Sequence, residues 1–542
     1  MSAEPPEPSR PAIPKAGGLI RSSMIFSGLT LVSRFMGLAR DLFITARMGA
    51  SATPAADAFN TALAFPNLFR RIFAEGAFAA AFVPAYTRSL TAEGQEVADR
   101  LASDALATLA AATLVLTIIA QLAMPWLMYV INPGYADDPV KFKLAVILTQ
   151  ISMPYLPCMA ITALLSGVLN ARGRFILSAG APTVLNGAML VAVIPPQGAI
   201  EAAYSASWAV LVAGVLQAAL LWWGVRKAGA HIVPRLPRLT PEIKALIALA
   251  IPGAIAASAT QINIFISGVL ASQVAGARSW LAVADRLYQL PLGLVGVAVG
   301  VALLPRLSQA LQAGDEDDAQ SATDQAIVFS LALTLPAAAA LMAMPYFLID
   351  GLFTRGEFTA IDARATADAL FHYGWGVPAF VLLRVMSPIF FARQDTKAPM
   401  RFALLSVAIN IGLGIGLFHL IGFEGIAAAT SVATWVTIAQ MVFTLDRRGA
   451  YRPSKAAWGK IVRVLAAAVA MGLLLLGAEL YRPAIEALVG PKEVAVVLVS
   501  MVGVAAYPFL LFASGGVTVA DVRALLRRRR DRAGLPPAAD NG

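Results

Sequence analysis

Residues 103–130 read SDALATLAAATLVLTIIAQLAMPWLMYV, and Asp104 is the one charged side chain in this stretch of 28 residues. A helix needs about 20 mostly apolar residues to cross a bilayer, so the stretch predicts a membrane-spanning helix. Comparable stretches recur along the chain and predict an all-α integral membrane protein with about 14 transmembrane helices. The predicted spans are 22–46, 57–87, 103–130, 144–170, 176–195, 202–225, 245–274, 280–305, 325–349, 366–392, 400–421, 425–445, 464–481 and 493–513.

The overall composition agrees with a membrane protein. Of the 542 residues, 58% are hydrophobic and 14% are charged, whereas a soluble chain carries roughly a quarter charged residues. The single cysteine, Cys158, excludes an internal disulfide and every multi-cysteine metal site. Because the three histidines, His231, His372 and His419, form no ligand-spaced pair, the sequence predicts no metal site and no histidine-based catalytic centre.

Basic residues are distributed unevenly between the loops. With the N-terminus cytoplasmic, 28 of the 42 lysines and arginines fall on the cytoplasmic side and 8 on the outer side. Positive charge favours the cytoplasmic side of short loops, so both termini are predicted to be cytoplasmic. This orientation accounts for the net charge of +10, and no nucleic-acid partner is expected. Residues 1–20 are polar and Pro-rich, so no cleavable signal peptide is expected.

Three weak landmarks indicate an internal duplication. They are the Ala-Asp pairs ending at Asp57 and Asp285, the segments LLSGVLNAR and VMSPIFFAR ending at Arg172 and Arg393, and the pair Asn186 and Asn410, with displacements of 228, 221 and 224 residues. Such repeats occur in alternating-access transporters, which bind substrate between the lobes. We therefore predict two six-helix pseudo-repeat lobes plus two C-terminal helices. The predicted parts are a cytoplasmic tail (1–21), an N-lobe (22–225), a cytoplasmic linker (226–244), a C-lobe (245–445), the last two spans (446–513) and a basic cytoplasmic tail (514–542).

Six arginines lie inside the predicted spans, apart from Arg401 at the cytoplasmic end of span 400–421, which is counted with the cytoplasmic residues. They are Arg34, Arg40, Arg70, Arg71, Arg286 and Arg384. An arginine at the bilayer centre costs about 2.5–3.5 kcal/mol on the lenient insertion scale, so six facing lipid would cost roughly 15–20 kcal/mol. That sum exceeds the stability of a typical fold. The six side chains are therefore expected to face a watery cavity or acidic partners.

The acids nearest in sequence to the arginine clusters are expected to neutralise only part of this charge. Four acids, Asp41, Asp57, Glu75 and Asp285, stand against the six arginines and leave a surplus of two positive charges. A cavity with that surplus suits a dianionic ligand, and arginine binds phosphate oxygens in a bidentate manner. A purely structural role in locking helices together stays open, above all for the isolated Arg384. The predicted substrate-binding residues are Arg34, Arg40, Asp41, Asp57, Arg70, Arg71, Glu75, Asp285 and Arg286.

Local patterns add two narrower expectations. Glu75 lies four residues after Arg71, the spacing of a helical ion pair. Gly293, Gly296 and Gly300 follow one another along a predicted span and are interpreted as a helix-packing surface. There is no Walker motif in the sequence, so ATP-driven transport within this chain is not expected.

Four segments resemble the MurJ (MviN) family of lipid II flippases, within the superfamily of multidrug, oligosaccharidyl-lipid and polysaccharide exporters. They are SRFMGLARD (33–41), ADAFNTALAFPNLFRRIFAEGAFAAAFVP (56–84), ADRLYQLPLGLVGVAVG (284–300) and ARQDTKAP (392–399), and the hydropathy agrees over nearly the entire chain. The resemblance implies a two-lobed, fourteen-helix transporter, not an enzyme, which moves undecaprenyl-diphosphate-linked disaccharide-pentapeptide outward in the bacterial inner membrane for peptidoglycan synthesis. It assigns the required charges to Arg34, Arg40, Asp57, Arg70, Arg71 and Arg286, and a lipid-tail groove to the last two spans.

The resemblance also bears on cofactors and partners. It implies lipid II and the bilayer as partners, with the cell-wall synthesis machinery as a further candidate, and no cofactor. Either an ion or the membrane potential would drive the cycle. Some relatives use acids in spans 7 and 11 for sodium, where this chain offers Gln261, Asn263 and Asn410, and Gln289 stands where some relatives carry an acid.

The sequence leaves two alternative functions open. An exporter of the same superfamily could carry a drug or another polyprenyl-linked glycan, which would suit a less cationic cavity. A membrane enzyme acting on polyprenyl phosphates would need an acidic motif at the membrane face, and Asp137 with Asp138 is the nearest candidate.

Overall fold

The structure, a computed structural model, describes residues 16–71 and 77–516. Within these ranges the regular secondary structure is helical and there is no strand; a 3-10 turn, Pro133–Tyr135, follows α4. The helices are α1 (Ala16–Met48), α2 (Ala55–Arg70), α3 (Ala77–Ala92), α4 (Gln95–Ile131), α5 (Pro139–Ser152), α6 (Tyr155–Ala171), α7 (Phe175–Val193), α8 (Ala199–Lys227), α9 (Pro241–Ala271), α10 (Ala277–Gln312), α11 (Glu316–Ala343), α12 (Pro345–Phe353), α13 (Ala360–Gly374), α14 (Val377–Ala392), α15 (Lys397–Ile421), α16 (Glu424–Arg447), α17 (Lys455–Leu480), α18 (Arg482–Val489) and α19 (Lys492–Ala513).

The membrane fold is confirmed. Among the described residues, 10 helical segments are long and apolar enough to cross a bilayer, and the predicted count of fourteen stays a prediction. Predicted spans 144–170 and 366–392 are interrupted, the first at Pro154 and the second at Gly376 before Pro378, and predicted span 57–87 includes residues 72–76, which lie outside the described ranges. Proline cannot donate the backbone hydrogen bond that would continue the preceding helix. The short helices α12 and α18 were not predicted.

Equivalent hydrogen bonds recur in the two halves of the chain. Arg172 donates to the carbonyl of Ala228 at 3.3 Å, and Arg393 donates to the carbonyl of Ala450 at 2.6 Å. Asp99 accepts from the backbone N–H of His231, and Asp324 accepts from that of Ser454. The partners are displaced by 221 to 225 residues, as two of the three sequence landmarks are. We refer to α1–α8 as lobe one and to α9–α16 as lobe two; the exact domain boundaries stay predictions.

The landmark formed by the two Ala-Asp pairs was wrong. Asp57 lies in the first turn of α2, whereas Asp285 is the ninth residue of α10 and lies about two turns inside that helix. The two Ala-Asp pairs therefore occupy different depths. By the displacement that the other landmarks share, Ser279 is the residue of lobe two that is equivalent to Asp57.

The last three helices attach to lobe two through α11 and α12: α17 packs against α11, and Tyr507 of α19 donates to the carbonyl of Ala332 of α11 at 2.7 Å. Arg482 of α18 forms an ion pair with Asp350 of α12, and Lys492 Nζ donates to the carbonyl of Thr354 at 2.8 Å. Burial alone would raise the pKa of Asp350, but hydrogen bonds from Thr354 and Arg482 outweigh it and hold that pKa below its ordinary value. Large apolar side chains of α17 and α19, such as Leu473 and Val504, are exposed, as expected for a surface in contact with lipid.

Candidate functional site between the two lobes

An acid of lobe one bridges two arginines across the lobes. Asp41 on α1 lies 2.6 Å from Arg40 Nη2 through Oδ1 and 2.5 Å from Arg286 Nε of α10 through Oδ2. The Arg286 side chain remains 44% exposed, whereas that of Asp41 is 19% exposed. Arg286 therefore keeps donors available to a ligand even while the ion pair holds it.

Arg40 is fixed within lobe one. Its side chain is 7% exposed, and its Nη1 donates to Asn186 Oδ1 at 2.8 Å. The amide of Asn186 in turn donates to the carbonyl of Ser33 at 2.9 Å. With both ends of the guanidinium occupied, Arg40 orients Asp41 and does not face the cavity freely.

Arg34 differs from Arg40 in having no acidic neighbour. It lies on α1 seven residues before Asp41, on the same face of the helix, and its side chain is exposed. Within the ranges 16–71 and 77–516, no carboxylate lies within ion-pairing distance of its guanidinium. The predicted cationic surplus is therefore present at Arg34.

Asp57 lies elsewhere, at the face where α1 ends and α2 begins. We name this the outer face, after the predicted orientation. The Asp57 side chain is fully buried, forms a 2.7 Å ion pair with Lys141 and accepts from Ser279 Oγ at 2.7 Å. It also accepts from the backbone N–H of Gly276 and of Ser279, at 2.9 and 3.1 Å, at the start of α10. A carboxylate at a helix N-terminus satisfies unpaired N–H groups and complements the helix dipole.

Asp57 is thus an inter-lobe latch, because α2 belongs to lobe one and α10 to lobe two. A second latch lies nearby: Asp362 of α13 accepts from the backbone N–H of Ser51 at 3.0 Å and from Trp280 Nε1 at 2.9 Å. The backbone N–H of Glu357 donates to the carbonyl of Ala46 at 2.9 Å. The outer face is therefore closed.

Sequence reasoning missed the partners in these latches. Lys141, Ser279 and Asp362 carry no local motif, and they lie 84 to 311 residues from the groups that they contact. The first-turn position of Asp57 on α2 was the available signal, because helix-starting acids cap helix termini.

The remaining predicted site residues are only partly described. Arg70 is the last residue of α2 and Arg71 is exposed just beyond it. Glu75 and the side chain of Arg70 lie outside the described part of the structure, so the Arg71–Glu75 ion pair stays a prediction. Asp285 is half-buried and accepts from Gln289 on the next turn.

Arg384 lies on α14 with its side chain exposed. It is near a stack of rings in lobe two, in which Tyr288 lies between Tyr373 and Phe380 at centroid distances of 4.7 and 5.2 Å. No ion pair with a carboxylate holds Arg384 among the residues that the structure describes. The isolated position that the sequence suggested is therefore maintained in the fold.

Asp138, part of the candidate enzyme motif, has a local structural role. It caps α5 by accepting from the backbone N–H groups of Val140 and Lys141 at 3.1 and 3.0 Å. Capping is the common use of an acid directly before a helix. Within the described ranges, no group of three or more His, Cys, Asp or Glu side chains is arranged to hold a metal ion.

A small cavity lies between the outer latches and the Asp41–Arg286 contact of α1 with α10, which we name the inter-lobe seam. Its lining includes Asp41, Asn60, Ser279 and Arg286, and its volume is about 70 Å³. Such a space admits a few waters, whereas pockets for drug-sized ligands are roughly 300–1,000 Å³. A large head group therefore cannot pass the outer face in this state.

Comparisons with known proteins agree with this arrangement. The family model described as "Lipid II flippase MurJ" matches residues 44–487. A protein of Rhizobium tropici named "Probable lipid II flippase MurJ" is 40% identical over 97% of this chain and 99% of its own length. The "Lipid II flippase MurJ" of Burkholderia cenocepacia is 33% identical over 84% of this chain and 89% of its own length.

Solved structures show the same fold. A lipid II flippase MurJ in an inward closed conformation aligns with a TM-score of 0.74 and 23% identity, over 90% of this chain and 98% of that one. An inward-facing multidrug transporter of the MATE family aligns with a TM-score of 0.63 and 16% identity, over 79% and 98%. The likeness to both supports the two-lobed fold.

Proposed function

Because this chain belongs to the MurJ family of lipid II flippases, we propose that it moves lipid II from the inner to the outer leaflet of the cytoplasmic membrane. The cargo is an undecaprenyl diphosphate carrying a disaccharide-pentapeptide. The observation that carries the proposal is the inter-lobe seam, where Arg34 is exposed and has no acidic partner among the described residues, and Arg286 is 44% exposed. These two cations suit a dianionic diphosphate.

The seam can exchange one anion for another. Asp41 holds Arg286 through a single short ion pair, and a diphosphate offers more acceptor oxygens and a larger charge than a carboxylate. Arginine forks bind such oxygens in pairs. We assign binding to Arg34 and Arg286, positioning to Arg40 and Asp41, and a nearby supporting charge to Arg70 and Arg71.

Transport requires the outer latches to open. Hydrogen bonds to charged groups are worth about 1.5–3 kcal/mol each, and across the lobes Asp57 accepts from Gly276 and Ser279, and Asp362 accepts from the backbone N–H and the hydroxyl of Ser51. A ligand shifts such an equilibrium only by binding one state more tightly than the other. The diphosphate supplies this preference by drawing Arg34 and Arg286 to one anion.

Energy coupling by sodium does not fit lobe two. Asn410 Nδ2 donates to Asn263 Oδ1 at 2.9 Å, so a neutral amide pair occupies this position of lobe two. No carboxylate joins this pair among the residues that the structure describes. We therefore favour the membrane potential, which acts on the surplus positive charge of the empty site, as the driving force.

The same proposal predicts where the lipid tail lies and which other proteins handle the lipid. The undecaprenyl chain would lie against the exposed apolar surfaces of α17 and α19. The charge distribution favours cytoplasmic termini. Enzymes of cell-wall synthesis would supply the lipid on one side and consume it on the other.

A depletion experiment tests the proposal. Loss of this chain should cause lipid II to accumulate in the inner leaflet, and proteoliposomes containing the purified chain should make added lipid II accessible from the opposite side. If lipid II distribution is unchanged while another polyprenyl-linked glycan or a drug accumulates, the chain is an exporter of the same superfamily with a different cargo.

A further inference from the structure

Helices α1 and α10 face each other across the lobes at two levels. At the first level Asp41 meets Arg286 at 2.5 Å. At the second level Arg34 meets Gly293. Each pair of positions is seven residues apart on its own helix, which is two turns or about 10.5 Å. The two helices therefore run antiparallel in one register, and both contacts belong to one seam.

Gly293 leaves the space that Arg34 fills. A β-carbon built on Gly293 would lie 1.4 Å from Arg34 Nη1 and 2.3 Å from Cζ. The guanidinium thus occupies the position at which any other side chain on α10 would begin. The sequence pattern of Gly293, Gly296 and Gly300 had predicted contact with another helix, but at Gly293 the neighbour is a cation.

The contact between Arg34 and Gly293 is steric and pairs no opposite charges. Arg34 has no carboxylate partner in the part of the chain that the structure describes. Arg40 and Arg286, in contrast, both pair with Asp41. The glycine therefore places a cation between the lobes without neutralising it.

We propose that Gly293 is a positioning residue for transport, a notch that seats the Arg34 guanidinium on α10 and keeps it free for an anionic ligand. The seat itself rests on geometry alone, and its use by a diphosphate rests on the proposed function. A larger residue at position 293 would displace the Arg34 guanidinium from α10. Alanine is the smallest change that does so.

A double-mutant cycle on the full-length, substrate-free protein tests the seat. Alanine is a better helix former than glycine, so Gly293→Ala alone should stabilise α10 unless the methyl group meets Arg34. We expect Gly293→Ala to lower the melting temperature in the native background, and to leave it unchanged or raise it in an Arg34→Ala background. The matched control is Gly412→Ala on α15, where an added β-carbon meets nothing within 4 Å. Equal shifts of Gly293→Ala in both backgrounds would overturn the seat.

A binding experiment tests the use of the seat, with undecaprenyl diphosphate as the probe. We expect Gly293→Ala to weaken binding at least tenfold and Gly412→Ala to leave it unchanged. A coupled melting cycle with unaltered affinity for Gly293→Ala would overturn the positioning role. If the native protein does not bind undecaprenyl diphosphate at all, the proposed function fails, and the seat is then judged by the melting cycle alone.

Discussion

The two lobes hold the same polar contact in different chemical forms. In lobe one, Arg40 on α1 donates to Asn186 on α7 at 2.8 Å. In lobe two, at equivalent places on α9 and α15, Asn410 donates to Asn263 at 2.9 Å. The position that carries a charge in lobe one is therefore neutral in lobe two.

This difference shows how a duplicated scaffold becomes an asymmetric binding site. Lobe one holds Arg34, Arg40 and Asp41 on a single helix, whereas lobe two contributes Arg286 from α10. An anion between the lobes would meet most of its positive charge on one side. The contact of lobe two with the ligand then depends on few groups, and we expect lobe two to move relative to the ligand and lobe one.

The sharpest test of this asymmetry is Arg286→Glu. The change places a second carboxylate beside Asp41 and removes the cation that lobe two contributes to the seam, so we expect complete loss of complementation in a depleted strain. Arg286→Lys should restore function only in part, because a lysine lacks the planar fork. The matched control, Arg238→Glu, changes an exposed arginine of the linker. Normal growth of the Arg286→Glu strain at native protein levels would refute the site.

Making lobe one resemble lobe two should cost stability. Arg40→Asn removes one of the two arginines that pair with Asp41; because Arg286 still pairs with Asp41, we expect the loss of the charged hydrogen bonds to cost about 1.5–3 kcal/mol. Asn410→Ala removes one neutral hydrogen bond, worth about 1 kcal/mol. Unfolding of the purified variants measures both. Similar losses for the two variants would mean that the charge difference between the lobes has no energetic weight.

Opening of the outer face should respond to Asp57→Asn. The amide keeps the shape of the side chain but loses the negative charge that contacts Lys141 and the start of α10. We expect this loss to shift the equilibrium between the closed and the open outer face toward the open state by about 2 kcal/mol, or roughly 30-fold. In a Cys158→Ala background, a cysteine replacing Ala282 in the cavity should then react faster with an impermeant thiol reagent. Asp138→Asn removes a capping acid that touches only lobe one, so it serves as the control. Equal reaction rates for the two variants would contradict the latch.

A smaller effect is expected where the lobes differ in backbone conformation. Gly173 has φ +72° and its equivalent in lobe two, Gln394, has φ +60°. The left-handed region costs a non-glycine residue roughly 1–2 kcal/mol. Gly173→Gln should therefore destabilise by about 1 kcal/mol, whereas Gln394→Gly should be neutral or slightly stabilising. Changes of the same sign in thermal unfolding would show that the two turns are not equivalent.

The smallest effect concerns pH and the attachment that only lobe two has. Because the folded pKa of Asp350 lies below its ordinary value, its contribution to stability is present above that ordinary value and is lost as pH falls through the folded pKa. The contribution of Asp350 to the melting temperature should therefore be fully present and constant between pH 7 and pH 5. Asp350→Asn should reduce the acid sensitivity below about pH 4. An identical pH profile in that variant would contradict the role of Asp350.

Much of the fold and part of the site could be predicted from local patterns. The apolar spans, the cationic surplus and the shared face of Arg34 and Asp41 all depend on residues close together in the chain. The partners of Arg40 and Asp57 could not be predicted in this way. Asn186 and Ser279 lie 146 and 222 residues away, and nothing in their immediate sequence marks them as partners.

The amino-acid sequence by itself determined that the chain lies in a bilayer, which side its basic loops favour and which helices bear charge, because hydropathy and charge act residue by residue against the solvent. Only the tertiary structure decided what each charge does. Arg40 became a support, Asp57 a latch and Gly293 the neighbour of Arg34 because of which helices meet and in what register. In a medium without water, a buried charge must find its partner within the protein, so its role is set by the fold that brings the partner to it.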